Sequence, residues 1–407
     1  MRALLIGGTG FIGSYLTPEL QRLGAEVAVL TRGRSANPGP DGLTRITGDR
    51  KRLGASQAEI RAFAPDVVID LVLSSGPQAR ELMEVVRGIA GRVVALSSMD
   101  VYRACGLLHG LEDGPLEPVP LTEQSALRTK LATYPPAQIA IVQEVYGWVD
   151  DAYDKIPVER AMLEDGELPA TILRLPMIYG PGDPLHRFFP LVRRMHDRRP
   201  AILMSTAQAA WRSPRGFVGN VAAAIALAAI SDNATRRIYN VAEQPSYSEL
   251  EWAARVGAAA GWKGAFVVLP ADAMPPHLRM PGNFEQHWSV DSSRIRSELG
   301  YVEPVGVDSA IAQTVAWERA NPPAKPLAAI DYAAEDVAIA QQASSTLGSV
   351  PLAGEHRRRR VLAKLGQEFR HVRLGAGTRV DVELPRVDHP RNHIAHFVDV
   401  LRERQAA

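Results

Sequence analysis

The chain has 407 residues, of which 46% are hydrophobic and 22% charged, and its formal net charge at pH 7 is +1. This is ordinary globular composition, and so small a net charge excludes a general attraction to nucleic acid or membrane. The single cysteine, Cys105, excludes an internal disulfide, and the apolar segment 221–230 is too short to span a bilayer. We therefore expect a soluble cytoplasmic protein with no nucleic-acid or membrane partner.

The first predicted strand, Ala3–Ile6, runs into a glycine-rich turn that opens an amphipathic helix. Gly7 can take the positive φ of a tight turn, Gly10 lets the backbone approach a pyrophosphate, and Gly13 lets the helix pack close to the sheet. Strand, glycine turn and helix in this order are typical of a dinucleotide site. The predicted cofactor contacts of the turn are Gly7, Gly10, Phe11, Ile12 and Gly13.

The first half of the chain alternates between strand-like and helix-like segments. Apolar runs follow at 26–30, 42–47, 66–73 and 91–97, and helical segments near 56–63 and 78–89 separate them. Such alternation predicts a parallel, doubly wound sheet whose two faces are covered by helices. Leu71, near the end of the run 66–73, is expected beside the adenine or ribose of a bound dinucleotide.

The second half changes character. A loop-rich insertion is predicted at 103–148, a helix at 153–164 and a strand at 170–175, followed by a mixture of helices (218–230, 248–260), a strand (237–241) and a Pro-rich linker at 321–326. The prediction is an α/β protein: a doubly wound parallel Rossmann sheet at 1–175, a smaller α/β substrate lobe at 176–325 and a C-terminal extension of unknown role at 326–407.

Five motifs occur in a fixed order: Gly7–Gly13, Ser98–Tyr102, Lys155 followed by Glu159, Arg174–Asp183 and Arg215–Val218. Together, over about residues 1 to 320, they resemble the extended short-chain dehydrogenase/reductase family, the NAD-dependent epimerase/dehydratase group. Most members act on nucleotide-diphosphate sugars, and members often pair as homodimers. The resemblance implies a nicotinamide cofactor, a small-molecule substrate and a possible homodimer.

The end of the second strand bears on the choice of cofactor. An NAD enzyme of this type usually places a carboxylate here, but the sequence has none and carries Arg32 and Arg34 instead. A guanidinium suits the 2′-phosphate of NADP, so we expect NADP rather than NAD. Asp49 matches a family position near the adenine, and a plain loop carboxylate is the other interpretation.

The resemblance implies three catalytic groups: a tyrosine, a lysine four residues later, and a serine after the fifth strand. Ser98 matches the serine, and Lys155 matches the lysine, which also contacts the nicotinamide ribose. Asp151, not a tyrosine, stands four residues before Lys155.

The acid/base is therefore left open between three readings. It is Tyr153 if the helix begins at or just after it, since Pro157 is tolerated in a first turn. The second candidate is Asp151, whose carboxylate would act as the base. In the third reading the acid/base comes from elsewhere, such as Tyr146, or is absent. Asp100 is a further candidate, because some dehydratase members carry acidic residues just after the serine position; the other reading is a turn cap.

The resemblance also places substrate contacts at Ser98 and Tyr179, and at Arg215, which matches an arginine that contacts the substrate diphosphate. His186 is a further predicted substrate contact, while the role of its neighbour Arg187 stays open. No metal site is expected, and the basic run 356–360 predicts a solvated helix face or a subunit contact.

The predicted function is that of an NADP-dependent oxidoreductase, epimerase or dehydratase, acting by hydride transfer on a small carbonyl or nucleotide-sugar substrate. The alternative is an NAD(P)-binding protein with little or no catalytic activity.

Overall fold

The computed structural model of the chain describes residues 1–33, 42–134, 136–325 and 330–348. By internal packing the chain divides into two compact units. The larger takes in the described residues of Met1–Arg198, Ala207–Trp262 and Met280–Leu327, and the smaller those of Arg199–Thr206, Lys263–Arg279 and Ala328–Ala407. The functional division at residues 175 and 325 stays a prediction.

The strands in chain order are β1 (Arg2–Ile6), β2 (Glu26–Thr31), β3 (Thr44–Thr47), β4 (Val67–Asp70), β5 (Arg92–Ser98), β6 (Ala170–Leu175), β7 (Met177–Tyr179), β8 (Ala201–Ser205), β9 (Arg215–Phe217), β10 (Ile238–Asn240) and β11 (Ala265–Leu269). Seven of them form the central sheet of the larger unit in the order β10-β6-β5-β4-β1-β2-β3. Every neighbouring pair in this sheet is parallel. In the same unit β7 pairs with β9, also in parallel.

The α-helices are α1 (Gly13–Arg22), α2 (Gln57–Phe63), α3 (Gly76–Val86), α4 (Arg103–Leu108), α5 (Pro136–Tyr146), α6 (Lys155–Leu163), α7 (Phe189–His196), α8 (Thr206–Ala210), α9 (Val218–Ile230), α10 (Glu249–Ala260), α11 (Ser293–Leu299), α12 (Val307–Ala320) and α13 (Tyr332–Gly348). Across the described ranges, none of these helices combines the length and apolar character that a membrane span requires.

Both faces of the central sheet are buried. Ala3 and Leu5 of β1 belong to a core shared with α1 and α9. Leu4 and Ile6, which point to the opposite face, belong to a second core shared with α2, α3 and α6. A strand with helices on both sides has no solvent face, which is why its sequence is apolar throughout. The predicted doubly wound α/β fold is confirmed.

Several predicted elements coincide with observed ones, and others shift. The strand at 170–175 and the helix at 218–230 are β6 and α9. The helix predicted at 153–164 begins two residues later, because the Asp154 carboxylate caps it by accepting from the backbone N–H of Ile156 at 2.8 Å. The segment 103–148, predicted to be rich in loops, contains α4 and α5.

The smaller unit contains a parallel pair of strands, β8 and β11, with α13 packed beside β8. Ala338 and Ile339 of α13 join the core of this unit. A salt bridge joins Arg199 to Asp336. Helix α13 lies in the predicted C-terminal extension, and the basic run at 356–360 lies outside the described residues.

Candidate active site

A reversal of strand order opens a crevice at the carboxyl ends of β1 and β4. From β1 the sheet continues through β2 and β3 on one side and through β4, β5 and β6 on the other. Ligands of doubly wound sheets bind at such a switch point. The glycine turn follows β1, and Leu71 follows β4. The sequence motif therefore lies where the topology provides a ligand site.

The glycine turn has little room for side chains. Gly7 adopts a φ of +87°, in the left-handed region that favours glycine. A Cβ atom on Gly13 would lie 2.4 Å from the carbonyl carbon and oxygen of Gly8, so α1 begins in direct contact with the turn. This places the positive end of the α1 dipole beside the turn, an arrangement that suits a pyrophosphate.

A cavity of about 420 Å³, the first cavity, extends from the glycine turn along the carboxyl ends of β4, β5 and β6. It brings together predicted cofactor contacts and predicted catalytic groups that are far apart in sequence. The predicted residues that line it are Gly7, Gly10, Phe11, Ile12, Gly13, Leu71, Ser98, Tyr153 and Lys155.

A second cavity, of about 280 Å³, lies beyond the ends of β1 and β2 and also contacts Gly7 and Gly10. Arg32 and Lys51 line it, and both are exposed. Asp49 lines it as well, but its carboxylate caps the following turn by accepting from the backbone N–H of Lys51 at 3.0 Å. Arg34, the other predicted contact for a 2′-phosphate, lies outside the described residues.

Lys155, the first residue of α6, lines the first cavity. Its ammonium group donates to the carbonyl oxygens of Leu73 and Leu96, the second at 3.1 Å. Burial lowers the pKa of Lys155 to about 8, although nearby carboxylates, Asp100 foremost, oppose the shift. Its Nζ lies 5.7 Å from the centroid of the Tyr153 ring. The cavity thus holds a titratable cation next to a phenol.

Tyr153 is half-buried and precedes α6. Two residues apart in a regular helix, Tyr153 and Lys155 would face nearly opposite directions. Because α6 begins at Lys155, the backbone of Tyr153 is not helical and both side chains line the same cavity. The Tyr153 hydroxyl donates to Asp100 Oδ2 at 3.0 Å. Burial raises the pKa of Tyr153 well above its usual value, and the hydrogen bond to Asp100 acts in the same direction.

Ser98 ends β5 and lines the first cavity. Its Oγ accepts a hydrogen bond from the backbone N–H of Asp100 at 3.2 Å, which caps the short turn at Met99–Val101. A serine hydroxyl that accepts one bond still carries a proton to donate. Ser98 can therefore cap the turn and contact a ligand at the same time.

The other two candidates for the acid/base differ in position. Asp151 is exposed, and its carboxylate accepts from the Gln143 side chain at 2.8 Å. It lines neither cavity, because the turn before α6 points this carboxylate to the surface. Its expected part in the chemistry stays a prediction that this position does not favour. Tyr146, at the end of α5, does line the first cavity, and burial raises its pKa.

Two predicted substrate contacts lie outside the first cavity. Tyr179 is 1% exposed, and its hydroxyl donates to Glu243 at 3.1 Å. His186 pairs with Glu318, with Nδ1 and Oε2 2.7 Å apart. Both side chains are held in the packing of the protein, and their expected contact with substrate stays a prediction that this arrangement does not favour. The neighbouring residues Ile178 and Arg187 line the cavity instead.

Arg215 is also engaged elsewhere. One terminal nitrogen of its guanidinium lies 2.6 Å from both carboxylate oxygens of Glu249, and its plane lies over the Trp252 ring. Glu249 accepts a further bond from the Ser213 hydroxyl at 2.8 Å. Arg215 does not line the first cavity. The expected contact with a substrate diphosphate stays a prediction, and the ion pair with Glu249 does not favour it, because the carboxylate already occupies the guanidinium.

One wall of the first cavity comes from the segment predicted as loop. Val142 and Val145 of α5 line the cavity together with Val149, at a spacing of three and then four residues. This spacing marks one face of a helix, and it is the sequence signal that could have revealed this wall. Trp148 follows α5 and lines both cavities. Sequence reasoning missed this wall because the surrounding prolines and glycines indicated a loop.

The residues of the crevice fit a nicotinamide dinucleotide. The turn between Gly7 and Gly13 forms a cradle that a Cβ atom would fill, and a helix begins at its end. Cations lie at both ends of the site, Arg32 in the second cavity and Lys155 in the first. In the described part of the chain, no three metal-ligating side chains cluster.

A doubly wound parallel sheet with a glycine turn at its switch point, and a lysine and a tyrosine in the adjoining cavity, defines a nucleotide-binding enzyme of the short-chain dehydrogenase type. The chain belongs to the NAD dependent epimerase/dehydratase family, which it matches over residues 3–242, more than half of its length. The family resemblance identified from the sequence is thus confirmed, and with it the expectation of a nicotinamide cofactor.

One relative, a 2'-dehydrokanamycin reductase from Streptomyces kanamyceticus, is 29% identical over 185 residues, which cover 45% of this chain and 44% of the relative. The chain thus spans less than half the length of this relative.

The solved structures of similar fold include MoeE5 in complex with UDP-glucose and NAD (TM-score 0.55, 20% identity, 79% of this chain and 99% of that one). Another is dTDP-glucose 4,6-dehydratase from Bacillus anthracis in complex with NAD (TM-score 0.56, 14% identity, 79% of this chain and 97% of that one). At these identities the two structures show the fold.

Proposed function

We propose that the chain is an NADP-dependent reductase that acts by hydride transfer on a carbonyl group of a small, uncharged substrate. The observation that carries this proposal is the meeting of Ser98, Tyr153 and Lys155 in the cavity that begins at the glycine turn. These are the three functional groups that reduction of a carbonyl needs around the substrate oxygen.

Each group has a defined task. A bound nicotinamide would supply the hydride to the substrate carbon. The hydroxyls of Ser98 and Tyr153 hold the substrate oxygen, and Tyr153 donates the proton to it. The positive charge of Lys155 offsets the negative charge that develops on the Tyr153 oxygen during this transfer. The apolar residues Val142 and Val145 exclude water from the same space.

The charges of the second cavity support NADP over NAD. The end of β2 carries Arg32 and no carboxylate that would repel a 2′-phosphate. Lys51 adds a second exposed cation to the same cavity. The carboxylate of Asp49 is engaged as a cap, with its charge next to the backbone N–H of Lys51. A phosphate there would meet a net positive field.

The charges of the first cavity support an uncharged substrate over a nucleotide-diphosphate sugar. Lys155 and Arg187 are the charged residues among the described residues that line it. Arg187 pairs with Asp183 at 2.6 Å, and Lys155 donates to two backbone carbonyls. Arg215 is held by Glu249. The similarity to a 2'-dehydrokanamycin reductase supports reduction as the reaction.

A nucleotide-binding protein without catalysis is the second candidate. It is favoured by the direction of the Tyr153 hydroxyl, which donates to Asp100 rather than pointing its proton into the cavity.

The test is a reductase assay with the full chain, NADPH and three probes: cyclohexanone and 4-nitrobenzaldehyde as uncharged carbonyl compounds, and UDP-glucose as a nucleotide sugar. We expect oxidation of NADPH with at least one uncharged probe. UDP-glucose has no carbonyl group to reduce, so it is incubated with NADP+ and with NAD+ instead, and we expect neither reduction of the nucleotide nor a change in the sugar. Binding of NADPH without reduction of either carbonyl probe favours the second candidate. Conversion of UDP-glucose contradicts the substrate assignment.

A further inference from the structure

A buried carboxyl group lies directly behind the proposed proton donor. Asp100 is 1% exposed and does not line the first cavity. Its Oδ2 accepts from the Tyr153 hydroxyl at 3.0 Å, whereas its Oδ1 has no hydrogen-bond partner among the described residues. A buried carboxylate with an unpartnered oxygen is costly, so this environment favours the neutral acid.

A second tyrosine contacts the same oxygen. The Tyr134 hydroxyl lies 3.5 Å from Asp100 Oδ2, and the Tyr134 ring lies 6.1 Å from that of Tyr153. Tyr134 is partly exposed, and its ring meets that of the exposed residue His109 edge-on, with 5.7 Å between the ring centroids. A row of three side chains therefore leads from the first cavity through Asp100 towards the surface.

Two cations, Arg128 and Lys155, and one carboxylate, Asp154, lie near Asp100. Arg128 donates through Nε to the Asp100 backbone carbonyl at 2.6 Å, while its Nη2 is paired with Asp154. Lys155 is the other cation near the carboxyl, and Cys105, fully buried on α4, is a nearby titratable group. Burial raises the pKa of Asp100, and Arg128 and then Lys155 oppose this shift. The two side-chain oxygens of Asp100 accept no hydrogen bond from either cation among the described residues.

We propose that Tyr134, Asp100 and Tyr153 form a proton relay that recharges the active-site tyrosine from the surface. This inference rests on the proposed reductase function. Asp100 and Tyr134 are positioning residues that act through Tyr153.

The steps balance as follows. When the substrate carbon accepts a hydride, the C=O π bond breaks and its electron pair takes the Tyr153 proton, which leaves a phenolate. The carboxyl proton of Asp100 then moves to the Tyr153 oxygen. The resulting carboxylate takes the proton of Tyr134, and Tyr134 takes one from water. The net demand is one hydride from the dihydronicotinamide and one proton from solvent for each carbonyl reduced.

The first test is spectroscopic and needs no turnover. The infrared spectrum of the wild type at neutral pH, minus that of Asp100→Asn, should show the carbonyl stretch of a protonated carboxyl group. The control Asp151→Asn removes an exposed carboxylate and should leave this band in place. A wild type that lacks the band overturns the relay.

The second test is kinetic. Asp100→Asn keeps the shape and the acceptor but removes the exchangeable acid, so we expect kcat to fall roughly 10²-fold with the NADPH Kd unchanged. In Asp100→Ala, added formate should restore part of kcat, because it supplies a carboxyl group to the emptied space.

Tyr134→Phe should lower kcat and increase its solvent deuterium isotope effect. The control Tyr247→Phe alters a tyrosine outside the row and should change neither quantity.

The outcomes separate this proposal from the one on which it rests. If the wild type binds no NADPH or reduces no carbonyl probe, the proposed function fails whatever the infrared spectrum shows. If the wild type is active and Asp100→Asn keeps wild-type kcat, or formate rescues nothing in an Asp100→Ala variant that still binds NADPH, the relay alone fails.

Discussion

The two ends of the crevice are built in different ways. The glycine-turn end is made of backbone: a turn without side chains, held against the start of α1, with Gly13 in contact with Gly8. The other end, at Lys155, is made of side chains from segments far apart in sequence, among them β5, α5 and the turn before α6. The glycine-turn end is therefore specified by one local stretch of sequence, whereas the Lys155 end forms only when the fold brings distant segments together.

This difference determines how each end tolerates change. Backbone sites depend on the absence of a Cβ atom, so a single methyl group is enough to damage them. Side-chain sites depend on pKa values and hydrogen bonds, so isosteric changes can remove chemistry and leave binding in place. The variants below separate the two ends by measuring nucleotide affinity and turnover side by side.

The largest effect is expected at the chemical end, in Tyr153→Phe. Loss of the proton donor should lower kcat by 10²- to 10⁴-fold, about 3–5 kcal/mol, with the NADPH Kd unchanged. The matched control is Asp151→Asn, which alters the other sequence candidate and should keep wild-type kcat because Asp151 is exposed. A fully active Tyr153→Phe, or an inactive Asp151→Asn, would reverse the assignment of the acid/base.

At the backbone end, Gly13→Ala should destabilise the protein by about 1–3 kcal/mol and abolish measurable NADPH binding, because its Cβ would lie 2.4 Å from the Gly8 carbonyl group. Chemical denaturation and calorimetry measure the two effects. The control is Gly306→Ala, where a Cβ atom meets nothing within 4 Å. If Gly13→Ala binds NADPH like the wild type, the turn is not the cradle.

Lys155 gives a prediction about pH. Because burial lowers its pKa to about 8 from a reference value of 10.5, the folded protein binds fewer protons than the unfolded chain between these pH values. Its unfolding free energy should therefore rise with pH across this window, by roughly 1–3 kcal/mol relative to Lys155→Met. Denaturation of both proteins at pH 7 and pH 10 measures the change, and parallel pH dependences would refute it.

The smallest effect is expected at the outer end of the nucleotide site. Arg32→Ala should weaken NADPH binding about tenfold and leave NADH binding within about twofold, because the guanidinium is expected to face the 2′-phosphate. Titration of both nucleotides into both proteins gives the ratio. An equal loss for NADPH and NADH would mean that Arg32 does not read the phosphate.

The sequence predicted the parts of the molecule that depend on local signals. The apolar run of β6 and the start of α1 at a glycine turn needed no tertiary information. By contrast, whether Tyr153 or Asp151 lines the cavity depended on where α6 begins. Asp154 caps the helix and fixes this point, but the sequence offers several residues that could serve as the cap, so the start of α6 could not be predicted.

The substrate end was predicted least well. The glutamate that engages Arg215 is 34 residues away in the sequence, on α10, so no local pattern revealed that this arginine is paired. The wall formed by α5 was hidden by the turn-forming residues around it. Such contacts arise from tertiary packing, which overrides local propensity.

The central claim is that the glycine turn holds a pyridine nucleotide whose path runs through both cavities. Trp148 lines both of them, so NADPH titration monitored by energy transfer from tryptophan tests the claim most directly. We predict a saturable transfer signal that is tighter with NADPH than with NADH and that largely disappears in a Trp148→Phe variant shown by calorimetry to bind. No saturable signal and no binding heat with either nucleotide would contradict the account.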